Sequence, residues 1–131
     1  MKKMIAAFIP LWFGLALVGQ NPWTYRDHPN WDASWNRRPL PRQGACFFTD
    51  RDFRGNRFCV SRGDRLDRLP GNFGDNISSI QLFGRTRVIV YNDRNFRGGN
   101  REFRTSIADL RTQPFRGGHT WNNRISSIVV R

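Results

Sequence analysis

The sequence predicts an all-β fold in which two copies of one motif pack together as a single β-sandwich. From residue 44 onward, short alternating apolar segments are bounded by glycine and asparagine, which is typical of strands joined by turns. No segment there keeps an apolar 3.6-residue period beyond single turns at 64–69 and 106–110. The 131-residue chain has room for one such domain plus a preceding segment.

An internal repeat is the main evidence for two motifs. The segment 48–55 reads FTDRDFRG and returns at 91–98 as YNDRNFRG. Each copy later reaches the same tetrapeptide, ISSI, at 77–80 and at 125–128. The offset between copies is 43 residues at the aromatic end and 48 at the ISSI end, so the second copy carries five extra residues. We therefore expect motif one at 45–86 and motif two at 87–131, within a domain spanning 44–131.

The repeated residues predict a sharp hairpin in each copy. Two aromatics five residues apart cover the core, and the glycine two positions later permits a positive φ where the chain turns back. The serines of ISSI can bond exposed backbone groups of a turn. The segments 80–82 and 128–130 then form closing strands. Neither copy buries its apolar face alone, so the two are expected to pack as one sandwich.

Residues 1–19 are typical of a secretory signal peptide. Lys2 and Lys3 precede an apolar run over 4–18, and Gly19 offers a small residue for cleavage before Gln20. The run is shorter than the roughly 20 residues that a membrane span needs, and Pro10 interrupts it. We expect a secreted or periplasmic protein with no transmembrane segment in the mature chain.

Residues 20–43 form a Pro/Trp/Arg-rich arm. Four prolines remove backbone donors and restrict φ, which favours an extended conformation over a helix. Three tryptophans with interleaved arginines allow two interpretations. Either the indoles pack onto the domain, or the arm binds a surface. The residues concerned are Pro22, Pro29, Pro39 and Pro41, with Trp23, Trp31 and Trp35.

The only two cysteines, Cys46 and Cys59, lie symmetrically about the middle of the first predicted hairpin. In an exported protein such a pair persists as a disulfide, and strands of one hairpin bring the two together. His28 and His119 are the only histidines and stand at no metal-ligand spacing from the cysteines. A structural disulfide is therefore expected.

The formal net charge of the chain is +12. Both lysines lie in the signal peptide, so the mature chain carries 20 arginines and 10 acidic residues, a net charge of +10. Such a surface attracts polyanions, whether nucleic acid, acidic polysaccharide or anionic lipid. The alternative is a merely solvated arginine-rich face. The hairpin arginines proposed for polyanion contact are Arg51, Arg54, Arg57, Arg94, Arg97 and Arg101.

The pattern aromatic-x4-Phe-x-Gly followed by a distal Ser-containing strand resembles the Greek-key motif of the βγ-crystallins. It occurs twice, at 48–55 and 91–98, so the resemblance covers about 45–131. The resemblance implies two Greek-key motifs in one sandwich. It also implies a calcium-binding or structural module, because many microbial members bind calcium through (Asn/Asp)-(Asn/Asp)-x-x-(Ser/Thr)-Ser.

That calcium pattern is complete once. Residues 122–127 read NNRISS, whereas 74–79 read GDNISS, with Gly74 at the first position. Calcium prefers six to eight hard oxygens. By resemblance, one site takes side-chain oxygens of Asn122 and Asn123, the carbonyl of Arg124 and the hydroxyl of Ser126. The other takes Asp75 and Ser78. Each site also borrows a ligand from the other copy's hairpin, where Arg51 and Arg94 oppose a cation, so binding is expected to be weak.

A second resemblance leads to a different function. Secreted microbial metalloprotease inhibitors share this fold, carry disulfides and have similar Ser-Ser ends. Inhibition requires a rigid exposed loop, and the longer connection of motif two is the candidate. Its alternative is an ordinary long connection. The candidate inhibitory residues are Thr112, Gln113, Pro114, Phe115 and Arg116.

Nothing in the sequence predicts an enzyme. No Gly-x-Ser-x-Gly nucleophile motif, phosphate loop or zinc spacing occurs. Paired carboxylates such as Asp50 and Asp52 lie in an arginine-rich turn, where a solvated ion-pair role is the simpler interpretation. We therefore expect a binding protein of one of three kinds: a calcium-binding or structural module, a protease inhibitor, or a protein that binds polyanions at the cell envelope.

Overall fold

The computed structural model describes residues 30–131. The predicted signal peptide, its cleavage site and the first part of the arm lie outside the described residues. Within 30–131, no helix is long and apolar enough to cross a membrane.

Within residues 30–131, seven strands form two antiparallel sheets, which confirms the predicted all-β class. The first sheet has the order β2-β1-β4 and the second the order β3-β7-β5-β6. The strands are β1 (Gly44–Asp50), β2 (Arg54–Ser61), β3 (Arg65–Leu66), β4 (Ser79–Phe83), β5 (Val88–Asp93), β6 (Arg97–Phe103) and β7 (Ser127–Val130). Two short 3-10 helices, η1 (Ala33–Arg37) and η2 (Leu110–Thr112), complete the regular elements of 30–131.

The two motifs exchange segments between the sheets. Strand β3 belongs to motif one but pairs with β7 of motif two, so 64–69 contains a short strand where the sequence indicated a helical turn. In return, Ile107 of motif two forms a bridge to Ile80 in the first sheet. Each sheet therefore depends on backbone from both motifs.

Both predicted hairpins are present, and they bend in the same way. At the first turn Asp52 and Phe53 have φ of 61° and 58°, and Gly55 follows with φ of 83°. Ser79 Oγ fixes this turn by donating to the Asp50 carbonyl at 2.6 Å and accepting from the Phe53 N–H at 3.1 Å. In motif two, Ser127 Oγ makes the same pair of bonds, to the Asp93 carbonyl at 2.6 Å and from the Phe96 N–H at 3.0 Å. The second serine of each ISSI tetrapeptide is thus structural, as the sequence predicted.

The core lies between the sheets and is built from the inward residues of both motifs. Phe47 and Phe58 stack with ring centroids 5.1 Å apart, and the buried aliphatic residues of motif two complete the layer. Cys46 and Cys59 are register partners on β1 and β2, with Cα atoms 4.1 Å apart, and form the predicted disulfide. Because neighbouring strand residues face opposite sides of a sheet, this buried bridge lies on the other face of β1 and β2 from Phe47 and Phe58.

The prediction of an extended arm is wrong over 33–37, where the chain forms η1. Prolines flank this stretch without entering it, and the Asp32 carboxylate caps its start by accepting from the Ser34 N–H at 2.8 Å. The helix buries Trp35, which is 3% exposed, in the core. Of the two interpretations of the tryptophans, packing onto the domain therefore holds for Trp35 and for Trp31, which lies 5.5 Å from Phe73 between ring centroids.

The docked arm also satisfies the backbone of edge strand β2. Trp31 Nε1 donates to the Arg57 carbonyl at 2.8 Å, and Asn36 Oδ1 accepts from the Arg57 N–H at 3.0 Å. The Arg57 guanidinium in turn donates to the carbonyls of Trp35 and Arg38. Burial lowers the pKa of Arg57. Arg57 is therefore partly buried and bonded to the arm, unlike the exposed hairpin arginines with which the sequence grouped it.

Candidate functional site

One open groove collects several of the predicted ligands at the hairpin end of the sandwich. We call it the hairpin groove. Ser78 and Asn122 line it together with the turn of the first hairpin, which contributes Asp50 and Asp52. The remaining lining residues are Thr49, Arg51, Arg54, Asp109 and Arg111. Carboxylate, amide and hydroxyl oxygens thus share the groove with three arginines.

The structure groups the predicted calcium ligands across the motifs. Ser78 of motif one faces the same groove as Asn122 of motif two. Ser126 of motif two instead donates to Asp75 of motif one, with Oγ 3.1 Å from Oδ1. Reciprocal backbone bonds hold the two segments together, from the Asn123 N–H to the Ile77 carbonyl and from the Asp75 N–H to the Ile125 carbonyl, both 3.0 Å.

The segments 74–79 and 122–127 have the same backbone conformation at their second residue. Asp75 and Asn123 both have φ of 59°, which aspartate and asparagine tolerate better than other side chains with a Cβ. This explains why the pattern requires these residue types even without a metal. Gly74 and Asn122 precede them, and only Asn122 brings a side-chain oxygen.

An internal ion pair occupies part of the hairpin groove. Arg111 Nη2 lies 2.7 Å from Asp109 Oδ2, and Arg111 Nε lies 3.0 Å from Asp109 Oδ1. These side-chain bonds, followed by a bond from the Arg111 N–H, lower the pKa of Asp109 to about 2. Asp109 is therefore ionised but already partnered. Among residues 30–131, no group of three or more His, Cys, Asp or Glu residues is placed to hold a metal ion.

The candidate inhibitory residues lie on a short, closely bonded loop, 112–118. At its base the Trp121 N–H donates to the Gln113 carbonyl at 2.9 Å, and Pro114 bridges to Thr120. The Phe115 N–H donates to the His119 carbonyl at 2.8 Å, which closes the tip. Gly117 and Gly118 make the turn with φ of 71° and 77°.

Within this loop Phe115 and Arg116 have different environments. The Phe115 ring packs edge-on against buried Trp121, with centroids 4.8 Å apart, so it anchors the loop. The Arg124 guanidinium lies 5.6 Å from the Phe115 ring centroid, and its Nη2 is 2.9 Å from His119 Nδ1. Arg116 is exposed next to the glycine turn. Thr112 and Pro114 are exposed as well. Arg116 is the charged residue among the exposed candidates, and its guanidinium lies 5.2 Å from the Phe115 ring centroid.

Sequence reasoning named Asp50 and Asp52 but did not place them in a site, and it missed the Asp109–Arg111 pair. Asp109 and Asp52 are 57 positions apart in the chain, and only the segment exchange through Ile107 brings them to one surface. The backbone bond from the Asp52 N–H to the Ala108 carbonyl, 2.7 Å, makes this contact. The repeated acidic or amide residues of each hairpin, at 50–52 and 93–95, were the available signal.

Comparison with solved structures places the fold among βγ-crystallin domains. The calcium-bound domain of Abundant Perithecial Protein from Neurospora crassa has a TM-score of 0.56 at 22% identity, and the match covers 70% of this chain and 91% of that one. A domain from Flavobacterium johnsoniae gives 0.54 at 24%, covering 66% and 92%. The crystallin from Ciona intestinalis gives 0.54 at 21%, covering 67% and 99%. The comparison with curated proteins gave no match.

The sequence-family comparison is more specific. The model of Peptidase inhibitor family I36 matches residues 33–103, more than half of the chain. The matched range begins at the start of η1, includes the disulfide hairpin and the first strands of motif two, and ends before the 112–118 loop. The chain belongs to peptidase inhibitor family I36, the microbial metalloprotease inhibitor family, and has the βγ-crystallin fold.

Proposed function

We propose that this protein is an exported peptidase inhibitor that presents the 112–118 loop to the active-site cleft of an extracellular metallopeptidase. Family membership supports the class of function. We choose this loop because its base is rigid and its tip is exposed. Backbone bonds and the packing of Phe115 on Trp121 fix the base, and Arg116 is exposed at the tip. Export follows from the predicted signal peptide and agrees with a buried disulfide.

A rigid loop suits inhibition for an energetic reason. Ordering a flexible segment on binding costs about 0.5–1.5 kcal/mol for each immobilised side chain. The bonds at Gln113, Phe115 and His119 impose that order before the enzyme is met. The same bonds hold the chain in place after binding, so a cleaved peptide would remain in register and could be rejoined.

Replacing Arg116 with alanine is expected to raise the inhibition constant at least about 30-fold, the effect of losing an anchor worth 2 kcal/mol. The melting temperature should stay within 2 °C of the parent value (about 0.3–0.5 kcal/mol), because the side chain is exposed. The measurement is inhibition of a panel of secreted metallopeptidases and serine peptidases by the parent and the variant.

Arg94→Ala is the matched control, since Arg94 is an exposed arginine on the second hairpin. It should leave the inhibition constant within twofold. An equal loss from both variants would show that net charge, and not the loop, determines binding. If the parent inhibits no member of the panel, the inhibitor proposal fails.

Calcium binding in the hairpin groove is the second candidate function. The observation that favours it is the meeting of Ser78 and Asn122 with the carboxylates of Asp50 and Asp52 on one surface. Hard oxygen donors of this kind suit calcium. The arginines of the same groove oppose a cation, so we place the dissociation constant near 10⁻⁴ to 10⁻³ M, the range of extracellular calcium modules.

A calcium concentration tenfold above that constant is expected to stabilise the native state by about 1.4 kcal/mol. The melting temperature should therefore rise by several degrees over that in chelator. From the sequence alone, Ser126→Ala is expected to erase most of this rise and Ser78→Ala little. The grouping in the structure reverses this expectation, because Ser78 shares the groove with Asn122 while Ser126 bonds to Asp75.

The melting temperatures of three variants, measured with and without calcium, distinguish the two ligand assignments. The variants are Ser78→Ala, Asn122→Ala and Ser126→Ala. Loss of the shift in the first two variants supports the hairpin groove. Loss in Ser126→Ala alone would favour the assignment made from the motif. No calcium-dependent shift in the parent would end the metal proposal and leave the inhibitor proposal intact.

A further inference from the structure

A second depression lies at the opposite end of the sandwich from the hairpin groove. It is formed where β2 and β6 end, at the final residue of the chain and along the connection from β4 to β5. Seven residues line it, five of them arginines and none of them acidic. We call it the arginine depression, and its arginines are Arg62, Arg85, Arg87, Arg104 and Arg131.

The fold positions these arginines through backbone and amide contacts. Gln43 Oε1 accepts from the Arg85 N–H at 3.0 Å and from Arg62 Nη1 at 3.3 Å. Gly84, with φ of 69°, lets the chain turn directly against Gln43, where a Cβ would clash. Arg87 and Arg131 exchange two backbone bonds of 2.8 Å. These bonds hold the backbone at the edge of the depression in place, and the arginine side chains project from it.

One carboxylate compensates for part of this charge. Glu102 Oε2 lies 3.0 Å from Arg87 Nε and 3.5 Å from Arg104 Nη2. Among residues 30–131, no ion pair involves Arg62, Arg85 or Arg131. Among the side chains, five guanidinium charges against one carboxylate leave a local excess of positive charge. Such an arrangement attracts a multivalent anion, since each guanidinium can bond two oxygens of a sulfate or phosphate group.

We propose that the arginine depression binds an anionic polysaccharide that carries closely spaced sulfate or phosphate groups. Two alternatives fit less well. Single-stranded nucleic acid is usually held by stacking on exposed aromatic rings, and peripheral membrane proteins insert apolar side chains. In the described part of the chain, Leu40 is the one large apolar side chain that is exposed. The surface therefore offers charge and hydrogen bonds, which suit a hydrophilic polymer.

This site would act separately from the 112–118 loop. The loop contacts Gly99, midway along β6, whereas the depression begins beyond the end of that strand, at Arg104. A polymer bound there would hold the protein at the cell envelope or in the surrounding matrix and leave the loop accessible. The proposal therefore does not depend on the proposed inhibition.

The experiment measures binding of the purified exported chain to a heparin octasaccharide by calorimetry at several salt concentrations. The triple variant R62Q/R85Q/R131Q is expected to bind at least tenfold more weakly than the parent and to show a shallower salt dependence. The matched control is R51Q/R54Q/R97Q, which removes the same charge from exposed hairpin positions and should lose less than twofold.

Equal losses in the two triple variants would overturn the proposal, because general attraction to net charge would then explain binding. Failure of the parent to bind the octasaccharide at low salt would also overturn it, as would binding only to phosphatidylglycerol vesicles. Inorganic phosphate should compete only at millimolar concentration. Arg85→Gln keeps the backbone bond to Gln43 and so tests the site without disturbing the fold. It should weaken binding about threefold, and an unchanged affinity contradicts the proposal.

Discussion

Replacing Trp35 with alanine is expected to lower the free energy of unfolding by about 3–5 kcal/mol, the usual cost of truncating a buried tryptophan. Trp35 is 3% exposed and belongs to the core although it lies on the arm. The change also loosens η1, from which Asn36 bonds to β2. Because 1 kcal/mol shifts the melting temperature of a domain of this size by about 4–8 °C, the fall should exceed 10 °C.

Leu40→Ala is the control on the same arm. Leu40 is 43% exposed, so its truncation should change the free energy of unfolding by less than about 0.5 kcal/mol. Chemical denaturation followed by intrinsic fluorescence measures both variants. A Trp35→Ala protein that is as stable as the Leu40→Ala protein would show that burial of Trp35 contributes nothing to the stability of the folded domain.

Removing the disulfide with C46A/C59A is expected to cost about 3 kcal/mol. The bridge closes a loop with a sequence separation of 13 residues, for which loss of chain entropy in the unfolded state predicts this value. Both cysteines are buried, and Cys46 is fully inaccessible. Reduction of the parent protein should therefore require unfolding, and its melting temperature should fall in reductant by roughly 10 °C or more.

The double variant itself controls for reductant, since its melting temperature should be the same in both conditions. Intact mass provides a second check, because reduction adds two hydrogens to the parent. Free thiols in protein purified from an oxidising compartment would contradict the assignment, and so would equal stability of the parent and the double variant.

Local sequence was sufficient to predict the repeated parts of the fold. Aromatic and glycine spacing predicted both hairpins, and the symmetric cysteines predicted the Cys46–Cys59 bridge. The role of Ser79 and Ser127 also followed from their place in ISSI. These features depend on residues close in the chain or on copies of one pattern, so a single sequence contains the information.

The remaining features depend on contacts that no local pattern indicates. A two-residue strand such as β3 has no periodicity to recognise, and its partner β7 lies about sixty residues away. The motif assigned Ser78 and Asn122 to different calcium sites, and both line the hairpin groove because of how the two motifs face each other. The docking of Trp35 depends on its contacts with buried residues that are distant in the chain, which only the folded domain brings together. Proline content predicted an extended arm because it reports local backbone preference alone.

The exchange of segments between the sheets has a consequence for how the protein survives near peptidases. A peptidase cleaves a folded protein mainly when a stretch of chain detaches and becomes accessible. Here β3 pairs with a strand of the other motif, and Ile107 forms a bridge to the first sheet in return. Opening either motif breaks pairing in both sheets, so we expect residues 44–131 to open as one unit. The resistance of this region to digestion should then be determined by the free energy of its global unfolding.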